Sequence, residues 1–400
     1  MDTKRLLHLF EQHYGINQGE VRLFHAPGRV NLIGEHLDYN GGYVLPAALQ
    51  IGTYLLIRSN ADRMLRLASV QFEESASFSI DELPTVKSDM WTDYPLGVVH
   101  EMNKVGHPIT QGYDLLVAGN IPNGAGLSSS ASLEVVIGYA LLTLEGYPID
   151  RTALARLSQR AENQFVGVNS GIMDQFAVSH GKQDHAILLD CDSLQYEHVP
   201  FQIQGYKLII GNTNKRRGLV DSKYNERRTQ CDEAVEKLKQ VYPDLTYLAH
   251  LTSEQFQQAK HVLTDRVVCQ RAEHVVFENE RVKQSMKALR EGDLLAFGQL
   301  MNASHESLRD LYEVSCEELD VMVQEARAVN GTIGSRMTGA GFGGCTVSLV
   351  AQAAVEDFVN TVGANYERHT GLKPDFYVCD VGDGVIELEW PAFIATDVSI

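Results

Sequence analysis

Residues 122–134, Pro-Asn-Gly-Ala-Gly-Leu-Ser-Ser-Ser-Ala-Ser-Leu-Glu, force a sharp turn between two different hydrophobic periods. Before them, the apolar run Asp114 to Ile121 reads as a strand ending at Pro122. After them, Leu133, Val136, Ile137, Ala140, Leu141 and Leu144 recur at helical spacing. The chain must therefore contain a strand–turn–helix unit, with glycines that expose backbone N–H groups and serines at the helix start. A helix start holds unsatisfied donors and a partial positive charge, which suits a phosphate. The same stretch by itself also fits an ordinary turn with a Ser cap.

Neighbouring patterns extend the mixed α and β reading. A short amphipathic helix is expected over 3–14, strands over 51–58 and 63–72, and a helix from Asp89 to Met102. Asp150 is placed to cap a second helix reaching about Val166. Strand-like runs follow at Ala186–Leu189 and Tyr206–Ile210, then a mostly helical region from about Lys223 to Asn330. A strand at Cys345–Val350, a helix at Ala353–Tyr366 and a strand at Asp375–Cys379 close the pattern. At 400 residues the chain exceeds what one core usually supports, and we place a boundary between residues 1–203 and 204–400. With 34 basic and 52 acidic residues, the net charge of −18 argues against a nucleic-acid scaffold but not against a nucleotide ligand. The six cysteines form no CxxC pair, which speaks against a zinc cage or a disulfide framework. The opening segment has no apolar signal core and no run approaches the roughly 20 residues of a membrane helix. A cytoplasmic protein without membrane contact is expected, and a monomer.

Individual signals stay ambiguous when read alone. Gly339-x-Gly-x-x-Gly344 matches the dinucleotide fingerprint in form, but a strand-like run follows it where a helix is required. Arg29, Glu35, His36 and Asp38 lie within ten residues beside a turn, fit either for a polyhydroxyl pocket or for a solvated hairpin. Asp174 sits among Ile172, Met173, Phe176, Ala177 and Val178, where a carboxylate is either paired or functional. Lys215-Arg216-Arg217 and Arg227-Arg228 flank Tyr224 as a solvated basic face or a phosphate attractor.

Five segments in fixed order turn these fragments into a pattern. Ala26-Pro-Gly-Arg-Val-Asn-Leu-Ile-Gly-Glu-His-Leu-Asp-Tyr-Asn-Gly-Gly-Tyr-Val-Leu-Pro46 resembles the signature of galactokinases, within the GHMP small-molecule kinases. Gly124–Ser132 and Met337–Cys345 are similar to the second and third motifs of that family, and Ser170–Phe176 and Ser222–Arg228 are further matches. The resemblance implies an α+β, two-domain GHMP kinase-like fold: an N-terminal mixed sheet with helices and a C-terminal helix and antiparallel-sheet domain. The last residues would pack back across the boundary, and the active site would occupy the cleft. It implies ATP-dependent phosphorylation of α-D-galactose to α-D-galactose 1-phosphate, with ATP and Mg²⁺. Gly124, Ala125, Gly126, Leu127, Ser128, Ser129 and Ser130 would cradle the ATP phosphates, while Ser69 and Trp91 would contact the nucleotide. Ser130 and Glu162 would hold Mg²⁺, an ion suited to hard oxygen ligands. Asp174 would accept the proton of the anomeric hydroxyl, and Arg29 would stabilise the transition state. Glu35, His36, Leu37, Asp38, Gly171 and Tyr224 would line the sugar. Ser170 departs from the pattern, because many relatives carry Cys there.

Asp174 is limited as a base, since a free Asp has a pKa of roughly 3.9. Phosphoryl transfer through a loose transition state depends more on positioning and charge neutralisation than on early proton removal. Three other readings are weighed against the galactokinase. An N-acetylgalactosamine kinase shares most of the motifs. A silent galactose sensor would lose part of the Ser-rich loop, which this chain retains at Ser128–Ser132. A dehydrogenase would need the missing helix after Gly344.

Overall fold

The computed structural model describes residues 2–16, 19–121, 126–215 and 220–390. Helix α1 (Thr3–Tyr14) begins where Asp2 accepts from the Lys4 and Arg5 N–H groups, and it buries Leu6 and Phe10 one turn apart. Five strands follow around the first turn-rich segment: β1 (Arg22–Asn31), β2 (Tyr43–Val44), β3 (Pro46–Asn60), β4 (Met64–Ser69) and β5 (Ala76–Ser79). Helix α2 (Asp93–Lys104) and strand β6 (Gly112–Gly119) lead to α3 (Ser129–Leu144), the helix after the Ser-rich turn. Next come α4 (Arg151–Arg160), a π-helical turn at Ala161–Val166, and α5 (Met173–His180). Strands β7 (His185–Asp190), β8 (Tyr196–Pro200) and β9 (Tyr206–Asn212) precede a long helical region. That region holds α6 (Val220–Leu238), α7 (Ser253–Ala259), α8 (Arg266–Glu291), α9 (Leu294–Ser307) and α10 (Glu317–Ala328). Strands β10 (Thr332–Thr338) and β11 (Cys345–Ala351), helix α11 (Val355–Thr370), and strands β12 (Asp375–Cys379) and β13 (Ile386–Leu388) complete the described chain.

Among the described residues the strands form three sheets. The largest is mixed, in the order β13-β1-β3-β6-β4-β5, with β4 parallel to β6 and its other pairs antiparallel. The second, β10-β11-β9-β12, is antiparallel throughout, and β2-β7-β8 is a small antiparallel third. Helix α3 is apolar on several sides because it is enclosed by β1, β3, α2, α4 and α5. One apolar core runs through both halves of the sequence, joining Val30, Ile33 and Leu37 to Leu208, Val275 and Val347. The mixed first sheet and the helix-rich partner with an antiparallel sheet match the expected fold class. The Gly339–Gly344 loop joins the antiparallel strands β10 and β11, so it is a hairpin loop and not the strand-to-helix turn of a dinucleotide site. No described helix is long and apolar enough to cross a membrane.

Candidate active site

The site is built outward from a bulge in β1. The pairing of β1 with β3 slips between Pro27 and Arg29, and such a bulge re-aims the residue beside it. Gly28 lets the bulge approach the Ser-rich turn: a Cβ there would lie 2.9 Å from the Leu127 carbonyl oxygen. Arg29 N–H donates to that same carbonyl at 3.2 Å, and its Nη1 donates to the Gly126 carbonyl at 2.7 Å. Arg29 then spends the other edge of its guanidinium on Asp174, with Nε to Oδ1 and Nη2 to Oδ2 both at 2.7 Å. This is the two-pronged, charge-assisted geometry that guanidinium and carboxylate match best. Asp174 lies in the first turn of α5, where the helix end favours negative charge.

Ser128 joins this pair in place of capping. Its backbone is left-handed at φ 60° and its side chain caps nothing; its Oγ donates to Asp174 Oδ2 at 2.5 Å. The Ser-cap reading of the turn is thereby corrected, because the ion pair competes successfully for the hydroxyl. Leu127 is buried, Ser129 exposed and Ser130 part-buried at the start of α3. Gly124 and Ala125 lie outside the described residues, as do Arg216 and Arg217.

One cavity of about 260 Å³ opens beside Asp174, lined by Arg29, Glu35, His36, Asp38, Glu162, Gly171, Asp174 and Tyr224 together with Asn169, Asn225, Gly339 and Ala340. Leu37, expected with them, points into the hydrophobic core and does not reach the cavity wall, because an apolar side chain at a buried turn is worth more in the core. Glu35 is buried and already used: Oε2 accepts from Asn31 Nδ2 at 2.6 Å, and Oε1 from Thr338 Oγ1 at 2.9 Å and the Gly339 N–H at 2.7 Å. His36 adopts φ 63°, pairs through Nδ1 with the Tyr39 hydroxyl at 2.8 Å, and is held neutral because burial pulls its pKa down to about 3. Asp38 is pushed up to about 7, by burial first and then by the charges of Asp174 and Glu35. Gly171 touches it: a Cβ at 171 would fall 1.9 Å from Asp38 Oδ2, so only glycine fits. The Tyr224 ring closes the wall, 5.6 Å from the His36 ring and 5.2 Å from that of Tyr39.

A second cavity of about 250 Å³ contains Ser69, Trp91, Phe72, Tyr94, Ser129 and Ser130. The Phe72 and Trp91 rings stack at 14° with centroids 6.2 Å apart, and Trp91 Nε1 donates to the Glu74 carbonyl at 2.9 Å. The two cavities meet at one hydrogen bond, between the Ser130 hydroxyl in the second and the Glu162 carboxyl lining the first. Burial pushes the Glu162 pKa upward, against the hydrogen bonds of Ser170 and Ser130. Four residues have roles here that the sequence does not disclose. Ser128 was read as phosphate backbone and not as an Asp174 partner. Gly339 and Gln175 each lie in a segment that carries the resemblance but receive no place from it, and Glu134, fully buried with Gln175 behind Glu162, gives no sign of a role.

Comparison with known proteins places this arrangement. "GHMP kinases N terminal domain" matches residues 93–182, "Galactokinase galactose-binding signature" residues 8–59, and "GHMP kinases C terminal" residues 285–368. A galactokinase of Fusobacterium nucleatum is 50% identical over 368 residues, covering 92% of this chain and 95% of its own. One from Halalkalibacterium halodurans is 48% identical over 383 residues, 96% of this chain and 97% of its own. The crystal structure of Lactococcus lactis galactokinase complexed with galactose superposes with a TM-score of 0.93 at 43% identity, covering 96% of this chain and all of that one. A mevalonate kinase structure, 17% identical with a TM-score of 0.66 over 90% of this chain and 99% of its own, shares the fold.

Proposed function

Because the chain belongs to the galactokinases, a branch of the GHMP kinases, we propose that it transfers the γ-phosphoryl group of ATP to the anomeric hydroxyl of α-D-galactose. The products are α-D-galactose 1-phosphate and ADP. The observation that carries this reading is the Arg29–Asp174 pair, bonded to the Ser-rich turn at Gly126 and facing the polar cavity. In the reaction, Asp174 takes the proton of the sugar's C1 hydroxyl, the freed oxygen attacks the γ-phosphorus, and the bond to the bridging β–γ oxygen breaks, with its electron pair leaving on ADP. Arg29 fixes the carboxylate by two bonds and offers permanent positive charge where charge develops. Asp38 accepts a backbone hydrogen bond from Tyr39, and no side-chain donor reaches it among the described residues, which suits it to receive sugar hydroxyls. Glu35, already saturated by protein donors, holds the wall in place. The stacked Phe72 and Trp91 offer an apolar face to the adenine in the second cavity.

Residues 1–203 supply the sugar turn, the phosphate turn and Asp174, while residues 204–400 supply Tyr224 and the Gly339 loop. Magnesium fits the donor set: Glu162 is a buried carboxylate with no Lys or Arg partner among the described residues, and Ser130 adds a neutral oxygen. No described group gathers three His, Cys, Asp or Glu ligands, which accords with an ion that keeps several waters and takes phosphate oxygens. When bound, the ion neutralises phosphate charge. The proposal extends to a cytoplasmic monomer, for which a single species of monomer mass is the expected sedimentation result. A panel of galactose, N-acetylgalactosamine and glucose with ATP and Mg²⁺, followed by coupled ADP release, tests the function. Galactose-dependent ADP is the expected result, and silence on all three sugars defeats the reading.

A further inference from the structure

Glu162 is held by a set of buried groups that the reaction itself does not use. It lies in the π-helical turn that continues α4, an irregularity often found at functional positions. Its Oε2 accepts two hydrogen bonds, from Ser170 Oγ at 2.7 Å and from Gln175 Nε2 at 2.8 Å. The Gln175 amide shares its second hydrogen with Glu134 Oε2 at 3.0 Å. Gln175 and Glu134 are fully buried. In this orientation the amide nitrogen bridges the two carboxyl groups. Glu134 and Ser130 stand one turn apart on α3, so a single helix face reaches Glu162 twice, directly through Ser130 and indirectly through Gln175. Glu134 Oε1 has no partner among the described residues, and burial holds its carboxyl well above the usual carboxylate range.

We propose that Ser170 and Gln175, backed by Glu134, are positioning residues that lock the Glu162 carboxylate in the orientation that receives the divalent cation of the nucleotide complex. The inference rests on the kinase reading above. With one oxygen of Glu162 committed to two donors, the carboxyl group cannot swing, and among the described residues its other oxygen has no side-chain donor near it but Ser130. Ser170, standing where many relatives carry Cys, supplies a shorter and stronger donor than a thiol would. Glu134 serves as an acceptor that fixes the Gln175 amide, a task an uncharged carboxamide also performs.

Manganese titration in the presence of a non-hydrolysable ATP analogue, read by electron paramagnetic resonance, tests this without turnover. Partners that orient a metal ligand typically contribute 10–100-fold in metal affinity. Gln175→Met and Glu134→Leu are expected to weaken manganese binding by roughly that factor, and Glu134→Gln to restore most of it. Ser170→Ala is expected to weaken binding and Ser170→Cys to recover it in part, which keeps the test open should a core variant fail to fold. Galactose affinity measured by calorimetry without nucleotide or metal should stay within about threefold of wild type in Glu134→Leu, whose side chain lines neither cavity. Wild-type manganese affinity in folded Gln175→Met, or in Ser170→Ala if the former does not fold, overturns the positioning role and leaves the kinase reading intact. Failure of the unaltered protein to bind manganese with the analogue overturns both.

Discussion

Arg29 and Asp174 hold each other by two bonds at 2.7 Å, and Ser128 adds a third donor to the carboxylate, so that neither partner can be altered alone. Asp174→Asn removes the proton acceptor and one charge of the pair while preserving shape. Arg29→Ala frees the Gly126 carbonyl and leaves the carboxylate with Ser128 as its remaining side-chain donor and no positive partner. Each change is expected to cost on the order of 10²-fold or more in turnover, measured by coupled ADP release; near-normal turnover in Asp174→Asn would remove the base assignment. Asp38 offers a prediction about pH. Its carboxyl is pushed up to about 7 in the folded chain from an ordinary 3.8, burial being the main cause. Between those values the folded state keeps a proton that the unfolded state has released, so stability falls as pH rises through the window and levels off above it. In thermal melts without sugar, the gain in melting temperature of Asp38→Asn over the parent should therefore widen from pH 4.5 to pH 8. Parallel curves would show that Asp38 is ionised throughout. Arg29, Asp38 and Asp174 were visible in the sequence because each lies in a segment quoted for the resemblance. Ser128 was visible too, but its preference for an ion pair over a helix cap depends on a residue 46 positions away.

Elements that declare their own periodicity were legible, and those defined by a distant partner were not. Helix α1 matched the expectation of 3–14 because Leu6, Phe10 and the Asp2 cap are all local. Asp150 caps α4 as its place before an apolar repeat suggested, and β12 occupies the expected Asp375–Cys379. Strand β8 went unread because Glu197 and His198 interrupt its apolar residues, and it exists by pairing with β7. Strand β10 hides a fully buried Arg336, whose Nη1 donates to the carbonyls of Asn31 and Leu32 in the other half of the chain. The loop before α5 likewise takes its meaning from β1's turn, since Gly171 exists to clear Asp38. Gly171→Ala places a methyl 1.9 Å from Asp38 Oδ2 and forces the loop outward. Overpacking of this kind costs about 1–3 kcal/mol, and if sugar binding must absorb it, affinity should fall roughly 5- to 150-fold. ATP-analogue affinity in the second cavity should change little, and equal losses for both ligands in paired titrations would mean that the loop supports the whole cleft.

At the scale of the molecule, the two halves of the sequence are stitched by buried polar contacts as well as by a shared core. Strand β13 pairs with β1, and Trp390 Nε1 donates to the Val21 carbonyl at 2.7 Å, so the end of the described chain returns to its beginning. Glu35 is the polar centre of the seam. It accepts from Thr338 and Gly339, and lies 3.4 Å from Arg336 Nη2 with both side chains at or below 1% exposure. Arg336 Nε and Nη2 have no hydrogen-bond partner among the described residues, and Glu35 is the carboxylate nearest their charge, with buried Glu278 also contributing. Removing one member of such a pair strands the other in a low-dielectric interior, at a typical cost of 3–5 kcal/mol. Glu35→Ala should accordingly lose about 3–5 kcal/mol in chemical denaturation, and Glu35→Gln, which keeps an acceptor for Gly339, distinctly less. Because the apolar core is continuous across residues 203 and 204, the loss should appear in one cooperative transition and not as the early melting of one half. Sugar affinity will fall in the same variants, since Glu35 lines the cavity, and the ordering of the two effects decides what this residue is for. A Glu35→Ala protein that binds galactose poorly yet denatures like its parent would make Glu35 a ligand for the sugar alone. Loss of stability at saturating galactose would make it the buried joint on which both halves of the cleft depend.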